Sequence, residues 1–181
     1  PISRILNQNI NADVAQTRGV DLEVGYRFEP NFFSSQEETF NVRAILGQLS
    51  ENSTTTAAGT TQDQAGGQTR PELSGTISSN YTVGPWGFML MATYYDSVMN
   101  NITFVEGRDI DDNWIASMTT WNSAISYQGE MQGGSTWRAA LNITNLFDKE
   151  PSIVAGANGQ SIIAGHDAFG RRYQISLNMD F

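Results

Sequence analysis

Four residues in one short run have side chains suited to binding a ligand. Asp109, Asp111 and Asp112 supply carboxylates, and Trp114 follows them with a large aromatic ring. Carboxylate oxygens bind divalent cations or accept hydrogen bonds from hydroxyl groups, and the ring offers an apolar face for stacking. The spacing departs from the calcium-binding loop of an EF-hand. The run is therefore interpreted either as a ligand-binding loop or as a plain solvated loop.

His166, beside Asp167, is the one histidine in the chain, and cysteine is absent. A zinc site has too few nitrogen or sulfur ligands to be completed, so we predict no metal and no cofactor. His166 remains a candidate only for direct contact with a ligand. No G-x-S-x-G nucleophile motif and no phosphate-binding G-x-x-x-x-G-K motif occurs. We therefore predict that the protein is not an enzyme.

Composition limits the partners. The 181 residues carry a net charge of −9, which argues against nucleic acid as a partner because phosphate binding needs clustered Lys and Arg. The apolar runs are far shorter than the roughly 20 residues of a membrane helix. The chain starts at Pro1 without a recognisable signal peptide, so we expect a processed protein or part of a longer one.

The elements that carry these residues are strands, because apolar and polar residues alternate with a period of two. At the C-terminus Tyr173, Ile175, Leu177, Met179 and Phe181 are apolar, and their neighbours are polar. Most of these strands have the roughly 9–11 residues that a tilted strand needs to cross a bilayer. The pattern predicts seven strands, at about 20–28, 40–46, 73–83, 86–94, 121–127, 137–143 and 173–181.

Short and long connections alternate along the chain. The predicted short ones are 30–37, 84–85 and 128–135, and the long ones are 50–70, 97–114 and 147–170. Membrane barrels have short periplasmic turns and long extracellular loops, so this parity predicts an antiparallel transmembrane β-barrel segment. The segment 50–70 is rich in Ser, Thr, Gln and Gly, which predicts a flexible exposed loop.

Aromatic residues support the same interpretation, because each predicted strand has one at its short-turn end. Rings gather where lipid headgroups meet hydrocarbon. The predicted apolar faces carry no charge; Asp21, Glu23, Arg27, Arg43, Arg138 and Asp180 all fall on the polar phase. A soluble β-sandwich that binds glycans would also show alternation, and it stays open as an alternative.

Three segments together resemble TonB-dependent outer-membrane receptors. Asn145-Leu146-Phe147-Asp148-Lys149 is similar to a segment at the outer end of their next-to-last strand. Residues 170–181, with Phe181 at the end, resemble their final strand, which the barrel-assembly machinery reads. Residues 17–24 are similar to one of their strand starts.

The resemblance implies a barrel of about 22 strands, of which residues 1–181 would form the C-terminal portion. A plug domain, the N-terminal barrel strands and the region that contacts TonB would lie outside this sequence. It also implies energy-coupled ligand uptake in the bacterial outer membrane, with lipid, lipopolysaccharide and the assembly machinery as partners. The ligand would be an oligosaccharide or a metal chelate. A passive porin stays open as the other membrane alternative.

Overall fold

The computed structural model describes residues 13–33, 35–131, 133–156, 159–162, 167 and 169–180, with the backbone alone at 155, 156 and 159–162. This part of the chain contains no helix long and apolar enough to cross a membrane. Its regular structure is all β. The strands found there are β1 (Val14–Phe28), β2 (Glu38–Thr55), β3 (Thr61–Asp63), β4 (Leu73–Val83), β5 (Trp86–Tyr95), β6 (Val98–Met99), β7 (Trp114–Ile115), β8 (Met118–Glu130), β9 (Thr136–Thr144), β10 (Ile153–Gly156), β11 (Gly159–Ile162) and β12 (Arg172–Asp180).

The long strands form one antiparallel sheet in the order β1-β2-β4-β5-β8-β9-β12, and β3 pairs with the outer part of β2. Each long strand pairs with the next one along the chain, as hairpin connections require. All seven predicted strands and the predicted all-β antiparallel fold class are confirmed. Within the described residues the sheet is an open barrel segment, with β1 and β12 at its two edges.

The strand register places apolar residues on one face of the sheet. Phe40 lies opposite Phe28 on one side and Tyr81 on the other, and Tyr81 lies opposite Phe88. The alternating residues point to the other face, which we call the polar face. Large apolar side chains such as Leu22 and Ile175 stay exposed on the apolar face. A β-sandwich would bury that face under a second sheet, whereas no second sheet covers it among the residues that the structure describes.

Tertiary packing is concentrated at the end of the sheet that carries the long connections. Of the buried apolar residues in the described part of the chain, Val98, Ile115 and Val154 lie in those connections and Met118 is the first residue of β8, whereas Ala92 lies inside β5. The sheet itself is a single layer. Its stability in isolation would be poor, because one of its faces needs an apolar environment.

The short connections fold tightly. Gly84 and Pro85 join β4 to β5, and Gly84 has a φ of 51°, which a side chain would strain. Residues 29–37 join β1 to β2, and residues 131–135 join β8 to β9. The predicted turn at 128–135 begins later than expected because β8 continues to Glu130.

The long connections contain more regular structure than the sequence pattern indicated. The prediction of a flexible loop at 50–70 is wrong for Ser50–Thr55, which continue β2, and for Thr61–Asp63, which form β3. These polar residues are held by backbone pairing with β1 and with each other. β6 pairs with β7, and β10 pairs with β11, inside the other two long connections.

A β-bulge interrupts the pairing of β1 with β2 between Arg18 and Gly19. The Ser50 hydroxyl donates a hydrogen bond to the Arg18 carbonyl at 3.2 Å, and this bond gives the carbonyl a partner where the strand pairing is interrupted. A Cβ atom on Gly19 would lie 2.6 Å from the Gln48 carbonyl oxygen. Gly19 is therefore required for the close approach of the two strands.

Candidate functional site

A continuous row of aromatic rings crosses the apolar face at the short-turn end of the sheet. It spans β1, β2, β4, β5, β8 and β9, with neighbouring ring centroids 4.7 to 6.3 Å apart. These spacings suit stacked and edge-to-face contacts. The predicted aromatic row is confirmed on these six strands. Its members in order are Tyr26, Phe28, Phe40, Tyr81, Phe88, Trp86, Tyr127 and Trp137.

The polar face carries paired charges. Arg43 Nε donates a hydrogen bond to Glu23 Oε1 at 2.7 Å across β1 and β2. Arg138 donates to the Ser126 hydroxyl at 3.2 Å across β8 and β9. Charges on a face that lines a wet lumen keep their hydration, whereas an Arg facing mid-bilayer lipid costs about 2–4 kcal/mol. The two faces are thus suited to two different solvents.

The first two long connections pack against each other. The Met99 amide donates to the Gly66 carbonyl at 2.7 Å, and Gln68 Nε2 donates to Asn100 Oδ1 at 2.5 Å. Asn113 is buried and its Nδ2 donates to the Asn101 carbonyl at 2.9 Å. These bonds hold the segment 96–117 in a defined shape at the long-loop end.

The third long connection joins this assembly through an apolar cluster. Val98 on β6, Ile115 on β7 and Val154 on β10 are all buried and contact one another. Burying such side chains contributes about 1.5–3 kcal/mol each. The connections therefore pack together at the long-loop end of the sheet instead of forming three independent loops.

Asp109 has a role within its own loop. Its carboxylate forms an ion pair with Arg108 at 2.8 Å and accepts a hydrogen bond from the Val105 amide at 2.9 Å. The Arg108 guanidinium, and next the Val105 amide, lower the pKa of the Asp109 carboxyl below its ordinary value. The same ion pair raises the pKa of Arg108. Asp109 thus stabilises the turn 105–110.

The other three candidates of this run lie at and beside β7. Asp112 Oδ1 accepts a hydrogen bond from the Trp114 amide at 2.9 Å. Trp114 is 54% exposed, so its ring is available to a ligand, and Asp111 is exposed in the preceding turn. No group of three or more acidic or histidine side chains that could hold a metal occurs among the described residues. His166 and Phe181 lie outside the described residues, and a ligand-binding role for this run stays a prediction.

Asn145 is a structural residue that the candidate set omitted. It is 1% exposed, directly after β9, and has a φ of 54°. Asn145 Nδ2 donates to the Lys149 carbonyl at 2.9 Å, and Oδ1 accepts from the Lys149 amide at 2.8 Å. Its own amide donates to Asn122 Oδ1 on β8 at 2.9 Å.

Asp148 continues this arrangement toward β12. Its Oδ1 accepts a hydrogen bond from the Arg171 amide at 2.8 Å, and the Trp121 carbonyl accepts one from the Leu146 amide at 2.6 Å. The segment 145–149 therefore ties the end of β9 to the start of β12 and to Trp121 and Asn122 of β8. The one sequence signal for it was the resemblance of this segment to a known motif, because no spacing rule marks a buried Asn.

A meander of long strands with an apolar outer face, an aromatic row at one rim and a polar inner face defines the wall of a transmembrane β-barrel. The comparisons with known proteins name the class more closely. The family model for the β-barrel of TonB dependent receptor-like proteins matches residues 2–146. The chain belongs to the TonB-dependent receptor family, whose members are outer-membrane transporters of bacteria.

The resemblance noted in the sequence is thereby confirmed for the family and for the bacterial outer membrane as the location. The matched region ends at residue 146, so β12 and most of the segment 145–149 lie beyond it. Comparison with curated proteins and with solved structures gives no match.

Proposed function

We propose that residues 1–181 form the C-terminal portion of an energy-coupled receptor that imports a ligand through the outer membrane. A plug domain, the remaining strands of a barrel of about 22 strands and the TonB-contacting region belong to the same protein outside this sequence. The observation that carries the proposal is the two-faced wall. Its polar face, with the Glu23–Arg43 pair, suits a wet lumen, and its aromatic row suits a lipid boundary.

Ligand capture is assigned to the long connections, which are extracellular when the short turns are periplasmic. Trp114 supplies a stacking surface, and Asp109, Asp111, Asp112 and His166 are candidate polar contacts. The ligand is an oligosaccharide or a metal chelate. Lipopolysaccharide contacts the outer part of the wall, and the barrel-assembly machinery reads the last strand with Phe181. Deleting Phe181 should therefore lower the amount of folded receptor.

The test compares two bacterial strains. One lacks the receptor gene, and the other is the same strain with the full-length gene restored. Two probes are offered, a fluorescent maltooligosaccharide and a ferric trihydroxamate chelate, each with and without a proton ionophore and with and without TonB. We expect receptor-dependent uptake of one probe that stops when either the ionophore is added or TonB is lost. Uptake that continues under both conditions would identify a passive pore and overturn the proposal.

A further inference from the structure

Three residues of the short connection between β1 and β2, Phe33, Ser35 and Gln36, line a cleft beside the aromatic row. The cleft has a volume of about 380 Å³. Five of its seven lining residues are apolar or aromatic, namely Phe33, Val83, Pro85, Trp86 and Tyr127, and the polar ones are Ser35 and Gln36. Trp86 and Tyr127 are neighbours in the aromatic row, with ring centroids 4.7 Å apart. The cleft is therefore continuous with the lipid-facing surface of the barrel.

The connection that builds the cleft is held in place by Glu38. This buried carboxylate accepts a hydrogen bond from the Phe33 amide at 2.6 Å and another from the Tyr81 hydroxyl at 2.7 Å. The Gln36 amide donates to the Phe33 carbonyl at 3.0 Å. Phe33 is thus fixed beside the aromatic row although its side chain is 57% exposed.

An exposed ring at this position needs an apolar partner. Within the barrel wall, the aromatic row marks the depth at which headgroups meet acyl chains. Because short turns of such barrels are periplasmic, this rim faces the inner leaflet of the outer membrane. A lipid tail of that leaflet is already at the depth of the cleft, whereas a periplasmic protein would have to displace it.

The charges of this rim select among lipid headgroups. The connection 29–37 carries Glu29 and Glu37, and residues 28–38 contain no Lys or Arg. The nearest strand cations, Arg27 and Arg138, lie on the polar face of the sheet, whereas the cleft lies on the side of the aromatic row. Such a rim repels anionic headgroups and attracts a cationic amine. Glu29 and Glu37 are exposed on the connection that forms the cleft.

We propose that this cleft is a binding site for one phospholipid of the inner leaflet, with an acyl chain between Phe33 and Trp86 and an ethanolamine headgroup near Glu29 and Glu37. The site is separate from ligand uptake and lies at the opposite rim from the long connections. Its occupant would lock the connection 29–37 against the barrel wall.

The test is native mass spectrometry of the full-length receptor, released from detergent with added dioleoyl-phosphatidylethanolamine or dioleoyl-phosphatidylglycerol. Phe33→Ser removes one wall of the cleft. Phe32→Ser is the matched control, because Phe32 is on the same connection and 72% exposed but does not line the cleft. Ser35→Trp fills the cleft while leaving its apolar walls intact. Heat-modifiable migration in gels identifies the folded molecules.

We expect one tightly held phosphatidylethanolamine on the wild type, with its dissociation constant raised about fivefold or more by Phe33→Ser and by Ser35→Trp. Phe32→Ser should change it by less than about twofold. The site would be overturned if all three variants bound phosphatidylethanolamine as tightly as the wild type. It would also be overturned if Phe32→Ser weakened binding as much as Phe33→Ser does. If phosphatidylglycerol binds as tightly as phosphatidylethanolamine, the headgroup assignment is wrong. If Phe33→Ser does not fold, the binding measured for Ser35→Trp decides whether the cleft holds the lipid.

Discussion

The side-chain amide of Asn145 forms a closed ring with the main chain of Lys149, donating to its carbonyl at 2.9 Å and accepting from its amide at 2.8 Å. The ring lies between the end of β9 and the start of β12, beside Asn122 of β8, and Asn145 is almost fully buried there. Asn suits this position because its short polar side chain fills the space and because Asn tolerates the left-handed backbone conformation.

Asn145→Ala should destabilise the barrel by about 1–3 kcal/mol, because both main-chain groups of Lys149 lose their partners. Asn145→Gly should cost about 1 kcal/mol less than the Ala variant, since Gly adopts a φ of 54° without strain. Asn142→Ala, on the polar face of β9, is the control and should change stability by less than about 0.5 kcal/mol. Urea unfolding of the full-length receptor in lipid vesicles measures these differences; equal effects at 142 and 145 would contradict the assignment.

Substitutions at two adjacent residues of β5 test which face of the sheet contacts lipid. Leu90 is on the apolar face in the middle of the strand, and Met89 is on the polar face. Leu90→Arg should reduce the folded receptor in membranes, because an Arg facing lipid costs about 2–4 kcal/mol. Met89→Arg adds the same charge toward the lumen and should fold at close to the wild-type yield. The reverse order of yields would invert the assignment of the two faces.

Trp114→Ala should lower affinity for the imported ligand about tenfold, since the variant loses an exposed aromatic face while β7 keeps its backbone pairing. Binding is measured by isothermal titration with whichever probe the uptake assay identifies. An unchanged affinity would remove Trp114 from the ligand site.

Two substitutions at Asp112 separate positioning from direct contact. Asp112→Asn keeps an oxygen that accepts from the Trp114 amide, whereas Asp112→Ala removes it. If Asp112 only positions Trp114, the Asn variant binds like the wild type and the Ala variant binds more weakly. If the Asn variant is as weak as the Ala variant, the carboxylate itself contacts the ligand.

The turn around Asp109 should open in acid. Its pKa is lowered in the folded loop, first by Arg108 and then by the Val105 amide. A lowered folded-state pKa means that the charged carboxylate stabilises the turn above its unfolded pKa of about 3.9 and loses that effect as the pH falls through the folded value. Hydrogen exchange at 105–109, corrected for intrinsic rates, should stay slow at neutral pH and accelerate below about pH 4. Asp109→Asn should abolish this acceleration of hydrogen exchange in acid, and Asp111→Asn should preserve it. If Asp109→Asn shows the same acceleration as the wild type, another group is responsible for it.

The long strands were predictable because each one separates lipid from water. Its residues must therefore alternate between apolar side chains, which face lipid, and polar side chains, which face the lumen. Val24 and Arg43 could be assigned to faces from the sequence alone, and the register confirms both. Charges and rings sort by face for the same reason, except at Glu38, which lies on the face of the aromatic row and accepts a hydrogen bond from the Tyr81 hydroxyl. The strength of that pattern comes from the membrane, not from contacts between elements.

The long connections were less predictable, because nothing forces their residues to alternate. Ser50–Thr55 extend β2 through main-chain hydrogen bonds that any polar residue can form. The pairing of Met99 with Gly66 joins residues far apart in the chain, and no local signal indicates it. The burial of Asn145 depends on β8, β9 and β12 lying side by side, which only the folded chain reveals.

The strands differ greatly in length: β2 has 18 residues, and β9 has nine. At about 3.3 Å per residue, β2 exceeds what is needed to cross the hydrocarbon, whereas β9 only just suffices. On the side of β2 a paired ladder therefore continues past the hydrocarbon, where β1 and β3 pair with its outer residues. The ladder between β9 and β12 ends at Thr144 and Arg172, so this side of the wall lacks such an extension among the described residues.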